Sequence, residues 1–330
     1  MKRWPTVLGA LALGGVTLAG CGNEPEMPDT SKTVPVLPEL YERRDLDHWV
    51  GLPTDASAEE KTAQAFALAS LEKEPIRAAP ILLRLLQDDD PSVRLAAVIA
   101  AGRLAPPSER LATVLTGFLA SDDEPLRRHA REAVGALGEA AVDALGEALG
   151  DERLRVRWGA LSALARVGAP AEHLVDAVAQ RARESGDETE RRQARLTLAR
   201  LGVRGAAACA QWLASDSAAE RDEAARALAF SGPHGVGPLL AMVEEADEVP
   251  AALAAGVIQE IAARGAMGDT VPRAVTVLIA ALEREGPVRF NAADALLAIG
   301  APARAALEAR KATADEDLQQ ILEMLLSEED

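Results

Sequence analysis

The chain repeats one sequence motif at intervals of 30 to 35 residues, and this repetition constrains its fold more than any other feature. In each copy an arginine is followed by an alanine three positions later, and by a glycine eleven positions later in all copies but the first. Positions three, seven and ten after the arginine share one face of an α-helix, and the glycine ends that helix in a left-handed conformation. The arginines are Arg94, Arg127, Arg157, Arg191, Arg221 and Arg289, and a weaker copy has Ala254 at this position.

A second amphipathic segment precedes each motif, for example at residues 80–86, 111–119, 141–149 and 271–282. Two helices of this length cannot bury their apolar faces alone, whereas helix pairs stacked on one another can. Aromatic residues make up only 3% of the chain, so the core is expected to consist of many thin layers of alanine and leucine. The predicted fold class is therefore all-α.

An aspartate stands shortly before the motif arginine, as in Asp90-Pro-Ser-Val-Arg94. With these residues the chain resembles HEAT repeats, especially the short HEAT-like repeats first noted in phycobilisome lyases. The resemblance covers residues 75–330 and implies a right-handed α-solenoid of about seven to eight helix pairs, closed by an acidic C-terminal cap. It also implies a ladder in which the loop carboxylate binds the arginine of its own or the next repeat. The ladder residues would be Asp90, Arg94, Asp123, Arg127, Asp151, Arg157, Asp187, Arg191, Asp216 and Arg221.

Residues 1–20 have the features of an export signal, with a basic start and an apolar run too short to span a bilayer. The signal ends in Leu18-Ala19-Gly20-Cys21, which resembles the lipobox of bacterial lipoproteins. This resemblance implies lipid attachment at Cys21 and a place in the bacterial cell envelope, with the outer membrane favoured over the inner. An ordinary secretory signal is the alternative. Residues 21–38 are predicted to form a flexible tether, and residues 39–74 are predicted to form helices that cap the solenoid.

The chain is strongly acidic, with a formal net charge of −17 that becomes −19 when Lys2 and Arg3 leave with the signal. This surplus argues against nucleic acid as a partner, because phosphate contacts need clustered lysine and arginine. Cys209 is the one cysteine besides Cys21, and it lies in a run of small helix-forming residues. It is predicted to be a buried core thiol rather than a nucleophile.

The sequence offers no set of residues for catalysis or for a cofactor. None of its four histidines precedes a glutamate or recurs with the repeat, so no metal site is predicted. A glycine-rich phosphate loop, a Ser-His-Asp set and zinc-ligand spacing are also missing from the sequence. The prediction is a non-enzymatic protein without a cofactor. A lyase-like or cofactor-handling accessory of the HEAT-like repeat family is the alternative.

The best candidate for a functional site is a strip on the helices that the motif opens, which line the concave side in HEAT-like solenoids. Positions one, two, five and nine after the motif arginine are expected to point away from the core. In the middle repeats this strip contains Arg128, Trp158, Arg166, Arg192 and Arg200. We expect Trp158 to anchor an acidic protein or peptide partner whose carboxylates pair with the arginines, so that the protein acts as a lipid-anchored scaffold. Alternatively, the arginines pair with neighbouring carboxylates on a solvated helix face.

Overall fold

The computed structural model describes residues 46–70 and 75–327. The predicted signal (residues 1–20), Cys21, the tether and the ends of the predicted cap lie outside these residues. Within them the chain forms helices and no strand, and none of these helices is long and apolar enough to cross a membrane. The helices are α1 (Leu46–Val50), α2 (Ala58–Ala69), α3 (Pro75–Leu85), α4 (Pro91–Leu104), α5 (Glu109–Gly117), α6 (Glu124–Ala136), α7 (Val142–Ala148), α8 (Leu154–Val167), α9 (Val175–Glu184), α10 (Glu188–Leu198), α11 (Gly202–Ala210), α12 (Ala218–Leu228), α13 (Pro233–Glu245), α14 (Glu248–Ala263), α15 (Val271–Ala281), α16 (Pro287–Ile299), α17 (Ala301–Lys311) and α18 (Glu316–Ser327).

From α3 to α18 consecutive helices pack as pairs, and the pairs stack on one another to give two rows of helices. This arrangement confirms the predicted all-α solenoid. We call the helices that carry the arginine motif (α4, α6, α8, α10, α12, α14 and α16) the motif row. Helix α2 packs against the first of them. The helices that precede them in each pair form the leading row. Up to α10, neighbours contact each other more extensively within the motif row than within the leading row, as expected on the inner side of a curved stack.

One continuous core of small and aliphatic side chains fills the space between the two rows. The alanine three positions after the motif arginine is fully buried in all six copies that have this arginine, from Ala97 to Ala292. Larger residues such as Leu115, Leu164 and Leu278 occupy the layers in between, also without exposure. The predicted thin layers of alanine and leucine are thus the ones that hold the repeats together.

The glycine column lies at the junction after each motif helix, but the predicted left-handed C-cap is not general, because Gly168, Gly232 and Gly300 have ψ between −147° and −138°. In six of the copies this glycine has a positive φ, between 60° at Gly232 and 76° at Gly202. The first copy has Ala105 here, with φ 44° and ψ 52°, and it is the one non-glycine residue with positive φ in the described part of the chain. A side chain with a β-carbon is disfavoured in this left-handed region, so Ala105 carries local strain that the other copies avoid.

The motif arginines do not bind the loop carboxylates as the ladder prediction expected. The five arginines of the predicted ladder each donate instead to a backbone carbonyl of their own loop, six residues earlier, whereas Arg289 donates to the Arg284 carbonyl and pairs with Asp317. Without this bond the loop carbonyl would lack a hydrogen-bond partner. The guanidinium of the motif arginine supplies the donor at each junction between repeats. The bonds are Arg94 to Asp88 at 2.7 Å, Arg127 to Ser121 at 2.6 Å, Arg157 to Asp151 at 2.9 Å, Arg191 to Ser185 at 2.7 Å and Arg221 to Ser215 at 2.7 Å.

The loop aspartates of the predicted ladder serve mainly as helix N-caps, which turns their carboxylates toward backbone N–H groups and away from the arginines. Asp90 accepts from the Ser92 N–H at 2.8 Å, and Asp123 and Asp187 cap α6 and α10 in the same way. In the other two copies the role differs. Asp151 binds Arg153, whose side-chain hydrogen bonds lower the pKa of Asp151 to about 2, and Asp216 offers only its backbone carbonyl to Arg221.

Candidate binding trough on the motif row

A shallow trough runs along the face of α8 that points away from the core, and α6 and α10 form its two walls. It consists of two adjoining cavities, of about 470 and 420 Å³. The first lies at the N-terminal end of α8 and is lined by Leu119, Glu124, Arg127, Arg131, Leu154, Arg155, Trp158, Gly159, Asp187 and Thr189. The second lies toward its C-terminal end and is lined by Arg131, Glu132, Ser162, Ala165, Arg166, Gln193, Leu196 and Arg200. We call the two together the trough.

The trough has an apolar end, centred on Trp158. The indole is half-buried, and the neighbouring Leu154 leaves 39% of its surface exposed. Gly159 allows Leu119 to approach closely from below, because a β-carbon at this glycine would lie 3.2 Å from a methyl group of that leucine. An aromatic ring seated on packed aliphatic residues, with one face accessible, can accept an apolar side chain of a partner.

The structure brings three of the five predicted strip residues into the trough. Trp158 lines the first cavity, and Arg166 and Arg200 line the second. Arg192 lines neither cavity, because its Nε lies 3.3 Å from the Glu223 carboxylate, as the alternative interpretation of the strip expected. Arg128 also lies outside both cavities, although it is half-buried on the same helix as Arg131.

Sequence reasoning missed Arg131, which lines both cavities. Its guanidinium carbon lies 4.8 Å from the centre of the Trp158 ring, within the range of a cation–π contact. Arg131 stands four positions after the motif arginine, where Val98, Leu161 and Ile258 stand in other copies. This departure from an apolar column was the signal available in the sequence.

The trough contains more arginines than acidic residues, although the chain as a whole is acidic. Five arginines and three acidic residues line it, on a protein of net charge −17. Arg155 is paired with Asp122, and Arg127 bonds its loop carbonyl. In contrast, Arg131, Arg166 and Arg200 make no side-chain hydrogen bond or ion pair with any other residue in the described part of the chain. The trough therefore presents unpaired cationic donors beside an apolar surface.

A charged cluster lies beneath the trough, in the core between α8, α10 and α12. Glu190 is completely buried and accepts two bonds from Arg157, at 2.8 and 2.9 Å, and one from the Ser185 hydroxyl at 2.7 Å. Burial raises the pKa of Glu190 most, but the bonds from Arg157 and Ser185 outweigh burial and lower the pKa overall. Arg195, only 1% exposed, forms ion pairs with Glu188, Glu220 and Glu223.

Other candidate reactive groups are scattered. His129 lies 3.4 Å from Glu132, and within residues 46–70 and 75–327 no group of three or more His, Cys, Asp or Glu side chains could hold a metal ion. Cys209 is fully buried, which confirms the predicted core thiol, and burial raises its pKa to about 12.

The first part of the chain matches a known repeat family. Residues 46–135, from α1 into α6, match the family of HEAT repeats. This part of the chain is therefore similar to HEAT repeats. The match begins before residue 75 and so includes the two helices predicted to cap the solenoid.

The chain is also similar to two solved structures at low identity. One is an engineered protein with 22% sequence identity and a TM-score of 0.41. The similarity covers 84% of this chain and 87% of the engineered protein. Another is the complex of CpcE and CpcF of phycocyanin lyase from Nostoc sp. PCC7120, which is 19% identical, with coverage of 76% of this chain and 94% of that chain and a TM-score of 0.34. No curated protein matches this sequence.

Proposed function

We propose that this protein is a non-enzymatic, lipid-anchored scaffold of the bacterial cell envelope that binds an acidic protein segment in the trough. The observation that carries the proposal is the presence of unpaired arginines next to an accessible tryptophan on an acidic solenoid. HEAT repeats support a role in protein interaction, since stacked helix pairs provide long surfaces for a partner. An acidic partner gains charge-assisted hydrogen bonds to guanidinium groups that the protein itself leaves unpaired.

The dimensions of the trough suit a short segment. From Leu154 to Arg166 the floor helix spans about 18 Å, at 1.5 Å per residue. This length accommodates roughly five or six residues of extended chain or about three turns of a helix. Trp158 would act as the central contact, because tryptophan and arginine dominate binding energy at protein interfaces.

The binding test is site-specific crosslinking in cells. A photoreactive amino acid at Ser162, on the trough floor, is compared with one at Asp143, an exposed residue of the leading row. We expect a crosslinked partner at Ser162 but not at Asp143. The crosslink should disappear when Trp158→Ala and Arg166→Glu are introduced. Crosslinks that form equally at both positions, or that survive the double substitution, would show that the trough is not the binding site.

The lipid anchor is tested separately at Cys21. We expect radioactive palmitate to label the full-length protein and the protein to sediment with the membrane fraction. Cys21→Ser should abolish the label and release the protein from that fraction. Membrane association that persists without the label would refute anchoring through Cys21. Density separation of the envelope would then show whether the labelled protein is in the outer or the inner membrane.

A further inference from the structure

Arg131 occupies a position that is apolar in most copies of the repeat. The column four positions after the motif arginine is apolar in five copies, with Val98, Leu161, Ala225, Ile258 and Ala293. A charged residue at such a position loses hydration, so its retention calls for a compensating interaction.

The two arginines of this column have different charged surroundings. Arg195 is buried but lies among the carboxylates of Glu188, Glu220 and Glu223. Arg131 is half-buried on the trough, packs against the Trp158 ring, and makes no ion pair with a described residue. Its burial lowers the pKa of Arg131, because the charged form has lost part of its hydration. The fold thus gives Arg195 ion pairs with three carboxylates, whereas Glu132 and Glu124 act on Arg131 only from beyond ion-pair distance.

The position of Arg131 between the two cavities gives it contact with both ends of the trough. The first cavity offers Leu119, Leu154 and Trp158 to an apolar side chain. The second offers Arg166 and Arg200, which also lack carboxylate partners. A guanidinium carries five N–H donors in a rigid plane, and two of them can bind both oxygens of one carboxylate.

We propose that Arg131 binds a carboxylate of the partner directly, and that the trough selects a segment in which an acidic side chain lies next to an apolar or aromatic one. The apolar side chain packs on Trp158 while Arg131 holds the carboxylate at the boundary of the two cavities. Further acidic residues of the segment extend toward Arg166 and Arg200. This assignment rests on the proposed function and names the chemistry that the trough recognises.

The experiment uses a library of random 12-residue peptides displayed on phage and selected on the full-length protein. The most enriched peptide is then labelled and compared with its amide form, in which glutamine and asparagine replace the acids. We expect the wild type to bind the acidic form at least about tenfold more tightly, from the usual strength of hydrogen bonds between charged groups. In Arg131→Leu, which places here the residue found at Leu161, this preference should fall below about threefold while the amide form binds as before.

The control is Arg183→Leu, an exposed arginine of α9 without a partner among the described residues, which should leave the preference unchanged. Arg131→Lys should restore only part of the preference, because lysine keeps the charge but lacks the planar fork. A preference that survives Arg131→Leu while Trp158→Ala abolishes binding would overturn the role of Arg131 and leave the trough in place. Enriched peptides without acidic residues would overturn the role of Arg131 and also the acidic partner of the proposed function. If no peptide is enriched on the wild type, the proposed function fails as well.

Discussion

The ion pair between Arg157 and Glu190 provides a direct test of how the central repeats are held together. Glu190 on α10 is fully buried and Arg157 on α8 is 17% exposed, so little water screens the pair. Replacing Glu190 by alanine leaves the guanidinium without its carboxylate and removes the acceptor of the Ser185 hydroxyl. Breaking a buried pair from one side typically destabilises a protein by 3–5 kcal/mol. Arg157 retains two carbonyl bonds in its own loop, so we expect the lower end, about 3 kcal/mol.

Hydrogen exchange followed by mass spectrometry is the appropriate assay, because unfolding of a repeat array need not be two-state. A loss of about 3 kcal/mol corresponds to roughly a hundredfold faster exchange where local opening limits it. We expect this change in α8 and α10 and little change in the distant α16. Glu147→Ala, which removes an exposed and unpaired carboxylate of α7, should stay within about 0.5 kcal/mol of the wild type.

A second variant separates lost charge from lost volume. Glu190→Val introduces the residue that Val93 and Val156 provide at the same position of other copies. Arg94 is satisfied by loop carbonyls alone, so Glu190→Val should be at least about 1 kcal/mol more stable than Glu190→Ala, as is usual when a core volume is refilled. If exchange in α8 and α10 accelerates less than about tenfold in Glu190→Ala, or equally throughout the chain, the pair does not join these repeats.

The remaining predictions concern pH, reactivity and backbone strain. Because the folded pKa of Glu190 lies below its usual 4.5, its stabilising contribution is complete above that pH and is lost as the pH falls through the folded value. Melting temperatures measured on acidification should therefore decrease less in Glu190→Gln than in the wild type. Cys209, with its pKa raised to about 12, should resist iodoacetamide at about pH 8 until urea unfolds the protein, as mass spectrometry of its peptide would show. Ala105→Gly should raise the free energy of unfolding by about 0.5–1 kcal/mol in chemical denaturation, since it removes the left-handed strain. Gly205→Ala should lower it by about 2 kcal/mol or more, because the added β-carbon would meet the Leu198 carbonyl oxygen at 2.3 Å.

The repeat could be predicted from the sequence because each copy needs the same residue types at the same positions. A fully buried alanine and a glycine with positive φ occur at the same place in nearly every copy, so aligning the copies reveals both. The bonds of the motif arginines were not accessible in this way. A column of arginines beside a column of aspartates is compatible with side-chain pairing, and only the coordinates show that Arg94 and its counterparts bind backbone carbonyls. Every residue has a backbone carbonyl, so no residue type in the sequence marks the carbonyl that accepts from an arginine. The aspartates are visible in the sequence, and they were therefore predicted as the partners of the arginines.

The residues of the predicted strip lie together where side chains follow helix periodicity and are separated where a neighbouring repeat intervenes, and their role in binding stays a prediction. Trp158, Arg166 and Arg200 lie together because positions one and nine of adjacent motif helices fall on one face. Arg192 shares that face, but Glu223 lies on the next motif helix and approaches its guanidinium. The distance between side chains of successive repeats depends on how the helices stack, and that cannot be derived from spacing within one copy.

Departures from the repeat carry the information that the repeat itself lacks. Glu190, Arg195 and Arg131 each place a charge in a column that is mainly apolar, and all three lie on helices α6 and α10 that flank α8. Glu190 and Arg195 form ion pairs with charged residues of neighbouring helices, so they connect successive repeats. Arg131 is not satisfied within the described chain and faces the trough instead. Where a repeat protein breaks its own pattern and leaves the resulting charge unpaired at an accessible surface, the missing counter-charge is best sought on a partner.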